Sequence, residues 1–160
     1  MISRKVILTG SFGVGKTSLF NRFIYNTFDD KYLTTIGVKV NKKEMVVDDK
    51  DVSILLWDIA GEISQDKVPI SYFLGSTGIL YVFDLTRPST YKNIDSDLKY
   101  LREMVPDAVI KVVANKKDML EANQIEDIKE QIKVKWDVIT SAKTGENVDE
   151  LLLQLTKEII

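Results

Sequence analysis

The chain has 160 residues, 44% of them apolar and 29% charged, enough for one buried core and too few for two ordinary domains. Its formal net charge of −2 offers no bulk attraction to nucleic acid or to anionic lipid. With no cysteine and no histidine, disulfides, thiolate metal sites, thiol catalysis and prenyl or palmitoyl attachment are excluded, and acid–base work falls to carboxylates, Lys, Tyr, water or the substrate.

In chain order, the opening MISRKVILTG is too short and too soon punctuated by glycine for a signal peptide, and Ile2 gives no N-myristoylation signal. VILTG (6–10) reads as a short buried strand ending at Gly10. KTSLFNRFIY (16–25) places Leu19, Phe20, Phe23 and Ile24 on one helical face. VKVNKKEMVV (38–47) and VSILLWD (52–58) flank DDKD (48–51) and predict a hairpin. GILYVFDL (78–85) is a further buried strand. Helical spacing runs from Tyr91 to Met104 and is stopped by Pro106. VIKVVANK (109–116) and WDVIT (136–140) read as strands, and helices are expected near 124–133 and over 147–160. No apolar run approaches the roughly 20 residues that span a bilayer, so a soluble, cytoplasmic chain is expected.

The order β-α-β-β-α-β-α-β-α-β-α predicts one α/β domain over 1–160. Its six-stranded sheet is mostly parallel, covered by helices on both faces, with the hairpin adding one antiparallel edge strand. In such sheets a ligand sits at the carboxyl ends of the strands.

Four of those ends carry chemistry. GSFGVGKTS (10–18) matches G-x-x-x-x-G-K-[ST] between a strand and a helix. Its glycines let the backbone of Ser11, Phe12, Gly13, Val14 and Gly15, running on into Lys16, Thr17 and Ser18, turn its N–H groups toward phosphate oxygens. Lys16 would bridge the β- and γ-phosphates and Thr17 would ligate Mg²⁺; the competing reading is an ordinary Gly-rich turn. Asp58-Ile-Ala-Gly61 could hold Mg²⁺ through water and touch a γ-phosphate with a glycine N–H, although a polar strand end followed by a turn explains these letters about as well.

NKKD (115–118) supplies a carboxylate, Asp118, able to accept from the N1–H and 2-amino group of guanine. Adenine would leave that acceptor unpaired. The Lys116 stem can cover a purine face, and Asn115 would tie this loop to the phosphate loop. In isolation the four letters read better as a charged surface turn. In SAK (141–143), Ala142 N–H could donate to guanine O6, with Ser141 and Lys143 fixing the loop.

With GSFGVGKTS, TTIGVKV (34–40), WDIAG, NKKD and TSAK in this order, the sequence resembles the Ras superfamily of small GTPases, and within it the Rab-like branch, over essentially its whole length. The resemblance implies a P-loop NTPase G domain that binds GTP and GDP with Mg²⁺. Thr35 matches the threonine that reaches Mg²⁺ and γ-phosphate, Phe28 an aromatic against the base, and Tyr32 one that closes over the phosphates. Taken alone, Phe28 and Tyr32 would be core or surface aromatics. Segments 28–38 and 60–74 become switch I and switch II, held by Thr35 and Gly61 on the γ-phosphate and released after hydrolysis. Effectors, exchange factors and activating proteins would read them, with Ile36, Gly37 and Trp57 as the apolar part of that surface or, equally, as core and hairpin residues. The resemblance also implies a monomer.

Four departures qualify it. Glu62 stands where the family places a glutamine that positions the attacking water, and Lys16, Thr35, Gly61 and Glu62 are the implied catalytic group. An ionised Glu62 keeps an acceptor and loses a donor, a loss typically costing about 10²–10³ in rate; alternatively it points into solvent. Phe12 replaces a small residue and would shield the γ-phosphate, crowd Glu62, obstruct an arginine finger or pack harmlessly. Ile63 and Ser64 replace a Glu-Arg pair. The chain ends LTKEII without the family's lipidated cysteines: either a tail is missing from it, or the member works in the cytosol or reaches membranes through a partner, the preferred expectation, which suits a prokaryotic or otherwise divergent member.

Three functions follow: a slowly hydrolysing GTP switch, a GTP-dependent binding module with negligible hydrolysis, and a P-loop ATPase or nucleotide kinase. The last lacks chain for an acceptor or lid segment and is opposed by Asp118.

Overall fold

A computed structural model describes residues 1–31, 35–132 and 135–160. Its central strand, β1 (Ile2–Gly10), lies between β3 (Lys50–Ile59) and β4 (Gly78–Asp84). Only Val6–Leu8 is paired on both sides; Ile2–Lys5 is paired with β3 alone, and Thr9 and Gly10 with β4 alone. That is why the sequence shows a buried run from residue 6 and a mixed pattern before it, and why the expected strand starts four residues late.

The sheet order is β2-β3-β1-β4-β5-β6, with β5 over Val109–Asn115 and β6 over Val138–Ile139. All pairings are parallel except that of the edge strand β2 (Val38–Val47) with β3. The β2–β3 turn is two residues long. Asp48 and Asp49 both have positive φ (49° and 61°), as a tight I′-type hairpin turn requires. The last strand is shorter than WDVIT because Asp137 uses its side chain as well as its backbone: Oδ2 accepts from Val112 N at 2.7 Å.

Side-chain alternation divides the core. Val6 and Leu8 of β1 and Leu80 and Val82 of β4 meet Leu19, Phe20 and Phe23 of α1 (Lys16–Tyr25) and Leu151, Leu152 and Leu155 of α5 (Val148–Ile159). On the opposite face Ile7, Ile79, Tyr81 and Phe83 meet Leu98 and Leu101 of α3 (Ile94–Met104) and Phe73 of α2 (Ile70–Phe73). The helix expected near 124–133 is α4 (Ala122–Gln131). It starts earlier because Gln124 Oε1 accepts from Glu121 N at 2.8 Å, closing its first turn. The segment between β3 and β4 is broken into one 3-10 turn (Gln65–Lys67) and the four-residue α2, separated by Pro69. Among the described residues no helix is long and apolar enough to cross a membrane.

Candidate functional site

The carboxyl ends of β1, β3, β5 and β6 converge on a cavity of about 450 Å³. Phe12, Gly13, Gly15, Lys16, Thr17, Ser18, Phe28, Thr35, Gly61, Asn115, Lys116, Asp118, Ala142 and Lys143 all line it. Ser11, Val14, Asp58, Glu62 and Ser141 are outside that lining, and Tyr32 is outside the described residues. Val14 is a core residue and Ser141 is fully buried.

The phosphate loop is fixed by close backbone contacts. A Cβ on Gly10 would stand 2.2 Å from Val82 O, and one on Gly15 (φ 101°) 2.2 Å from Asn115 Nδ2. Neither position admits another residue without displacing its neighbour. Lys16 is buried inside this curl and donates from Nζ to Ser11 O (2.7 Å) and Gly10 O (3.2 Å). Burial brings its pKa down to about 8, with the Asp58 carboxylate acting in the opposite sense. A phosphate anion entering here would raise it again and favour the charged form further.

Beside it, three oxygen-bearing side chains from three elements meet. Thr17 Oγ1 donates to Asp58 Oδ2 at 2.6 Å, Thr35 Oγ1 donates to the same oxygen at 3.1 Å, and the two hydroxyls are 2.6 Å apart. Asp58 is fully buried, and its Oδ1 has no hydrogen-bond partner among the described residues. Burial raises the pKa of Asp58, opposed by the Thr17 bond, the Lys16 charge, the Thr35 bond and the Lys39 charge. A hard-oxygen set with one orphaned carboxylate oxygen fits Mg²⁺, which retains water and phosphate ligands and needs only one or two protein carboxylates. The described residues form no cluster of three or more His, Cys, Asp or Glu, so an ion here would depend on phosphate oxygens for much of its coordination.

Switch II begins pressed against the phosphate loop. A Cβ on Gly61 would come 2.6 Å from Phe12 N and Cα, and Glu62 N donates to Gly10 O at 3.2 Å. Ala60 N donates to Gly37 O at 2.9 Å, which ties the segment after β3 to the one before β2. The Glu62 side chain is half-buried and makes no hydrogen bond or ion pair among the described residues. Phe12 stays 50% exposed at the cavity rim.

At the other end, Asn115 is a junction. Its Nδ2 donates to Val14 O (3.0 Å), and its Oδ1 accepts from Thr140 Oγ1 (3.0 Å) and Ala142 N (3.3 Å). Asp118 is exposed toward the cavity and accepts from Ser141 Oγ at 2.7 Å, which leaves its second oxygen free of that bond. Lys116 sits at φ 71° with Nζ 2.9 Å from the buried Asp84 Oδ2. Lys143 Nζ lies 3.9 Å from Asp30 Oδ1, and Phe28 is partly buried against the α1/α5 core while lining the cavity.

Of the proposed partner surface, Ile36 is 93% exposed, whereas Trp57 is only half-exposed. Trp57 is packed near Tyr72 (ring centroids 6.4 Å) and under Lys5 Nζ (3.8 Å).

Two buried polar groups escaped the sequence reading. Gln65 is fully buried: its Oε1 accepts from Thr9 Oγ1, its N–H donates to Asp97 Oδ1 (3.0 Å), and Tyr81 Oη donates to Asp97 Oδ2 (2.6 Å). Asp84 is equally buried. In sequence both look like ordinary loop or strand-end polar residues; an acid closing an otherwise apolar strand, as in GILYVFD, was the one available signal.

Comparison with known proteins agrees with this geometry. A family model described as the Ras family matches residues 5–160. The chain is 36% identical to Ras-related protein RABA1c of Arabidopsis thaliana, covering 97% of this chain and 74% of that protein. It is 34% identical to Ras-related protein Rab-4 of Dictyostelium discoideum (98% and 78% covered) and 34% identical to Ras-related protein SEC4 of Saccharomyces cerevisiae (97% and 74%).

Proposed function

The chain belongs to the Ras family as a Rab-like small GTPase, and on that premise we propose a Mg²⁺-dependent switch that binds GTP and GDP and hydrolyses GTP slowly. The observation that carries this reading is the convergence of Lys16, Thr17, Thr35 and Asp118 on one cavity, with the buried Asp58 accepting from both threonines behind it.

The phosphate-loop amides and Lys16 take the phosphates, with Lys16 exchanging two carbonyl partners for phosphate oxygens. Thr17 and Thr35 would hold Mg²⁺ directly and Asp58 from behind. Held there, Mg²⁺ would supply positive charge to the phosphates. Asp118 accepts from the guanine N1–H and 2-amino group, and Ala142 N–H leaves its long bond to Asn115 to meet O6. Ser141 and Lys143 hold that loop, and Phe28 and the Lys116 stem enclose the base. Water attacks the γ-phosphorus in line, the bond to the β-γ bridging oxygen breaks, and GDP and phosphate result.

Glu62 directly follows Gly61, which lines the cavity, and its side chain has no hydrogen-bond or ion-pair partner among the described residues. It can orient water but cannot donate to the developing charge, which supports slow hydrolysis. A second reading, a GTP-dependent binding module with negligible hydrolysis, is favoured by Phe12, whose backbone abuts Gly61 and whose ring occupies the cavity rim. In either case segments 28–38 and 60–74 report nucleotide state to effectors.

Competition against labelled GDP tests the binding half. GTP should displace it at stoichiometric concentration and ATP should fail even in large excess; displacement by ATP as effective as by GTP would restore the ATPase reading.

A further inference from the structure

Asp84 closes β4 with no exposure to solvent, beside Asn115 in the sheet register. A buried carboxylate must be matched by charge or hydrogen bonds. One of its oxygens, Oδ1, is satisfied locally by Thr86 N (2.8 Å) and Thr86 Oγ1 (2.6 Å). The other, Oδ2, is matched by cations from two separate places: Lys116 Nζ at 2.9 Å and Arg87 Nη1 at 4.0 Å. Neither meets Oδ2 with hydrogen-bond geometry, so charge rather than a directed bond compensates it. The turn that carries Arg87 is itself fixed, since Thr90 Oγ1 accepts from Asp84 N and Arg87 N donates to Asp84 O.

Each cation continues to a different end of the nucleotide cavity. Lys116 lines it at the base end. Arg87 Nη1 donates to Phe12 O at 2.8 Å, and the backbone of Phe12 is what Gly61 packs against. A lysine stem is long and loses much rotamer freedom when placed over a ring. Anchoring its ammonium on a fixed carboxylate removes part of that loss before any ligand arrives.

We propose that Asp84 is a positioning residue for nucleotide retention, holding Lys116 over the purine with one arm and, through Arg87, the phosphate loop at Phe12 with the other. The inference rests on the guanine-nucleotide reading above. It adds a coupling between the base and phosphate ends that passes under the ligand rather than through it.

The test is the rate of labelled-GDP release in Mg²⁺ from wild type, Asp84→Asn, Lys116→Ala and the double variant, with thermal midpoints recorded. Asparagine keeps the volume and the acceptor for Thr86, removes the charge and turns an amide NH2 toward the two cations. Release from Asp84→Asn should accelerate about tenfold, and the double variant should release faster than Lys116→Ala, by the lost Arg87 arm, but by less than the product of the two single effects. A general structural role would instead give additive acceleration, which overturns the proposal, as does release from Asp84→Asn at the wild-type rate. Should Asp84→Asn not fold, an Arg87→Ala and Lys116→Ala cycle replaces it. Two arms on one carboxylate must be non-additive, and additivity contradicts them. Wild type that retains neither GDP nor GTP would overturn the functional reading itself, and the inference with it.

Discussion

Asn115 carries three buried bonds between the base loop, β6 and the phosphate loop, so its truncation exposes what a single side chain contributes. Asn115→Ala leaves Val14 O, Thr140 Oγ1 and Ala142 N without their partner. Unsatisfied buried groups cost about 1–3 kcal/mol each, with partial relaxation. Urea denaturation should show a loss of about 2–4 kcal/mol, and a loss under 0.5 kcal/mol would mean that water replaces the amide. At Gly61 the constraint is steric, because any Cβ meets Phe12 backbone at 2.6 Å. Gly61→Ala should therefore weaken GTP more than GDP in competition binding, since the displaced switch II loses its approach to the phosphate loop. Equal weakening of both would place Gly61 outside γ-phosphate sensing. In sequence, Asn115 and Gly61 were legible because they sit inside patterned motifs. Gln65 was not, since nothing local separates a buried amide from an exposed one, and Asp84 offered only its place at the end of an apolar strand.

Among the elements, switch II is tethered by the Thr9–Gln65–Asp97–Tyr81 network between β1, α3 and β4. Asp97's carboxyl is raised above the ordinary range first by burial and last by the Asp66 charge, against the Tyr81 and Gln65 hydrogen bonds that favour the anion. The folded state thus holds this proton more tightly than the unfolded chain does. The stability it contributes is complete below the unfolded pKa of about 4 and is lost as pH rises through the raised value. Urea midpoints against pH should show Asp97→Asn gaining on wild type as pH rises from about 4 to neutrality. A constant difference between the two would show that Asp97 titrates alike in both states.

The hairpin offers a simpler case. Asp49 occupies the left-handed region (φ 61°), where glycine carries no Cβ penalty. Asp49→Gly should add about 0.5–1 kcal/mol in urea denaturation, and a loss would mean that the Asp49 side chain stabilises the turn. The long periodic elements were the legible ones. Strand and helix ends moved where side chains replaced backbone pairing, as at Asp137 and Gln124, or where Pro69 broke a helix.

Over the whole molecule, a central strand delivers the phosphate loop, and β3, β5 and β6 deliver the other three motifs to the same end of the sheet. The class of function was legible because ligand chemistry is concentrated at strand ends, and the order of motifs survives without knowledge of packing. Whether the site turns over depends instead on where one carboxylate, Glu62, rests relative to a γ-phosphate, a matter of tertiary placement. Single-turnover GTP hydrolysis in Mg²⁺ by wild type beside Glu62→Gln addresses it most directly. The predicted result is slow GDP formation by wild type and at least about tenfold faster formation by the glutamine variant, the lower part of what one transition-state donor is worth. Wild type as fast as Glu62→Gln, or faster, would contradict the assignment of Glu62 to the reacting group.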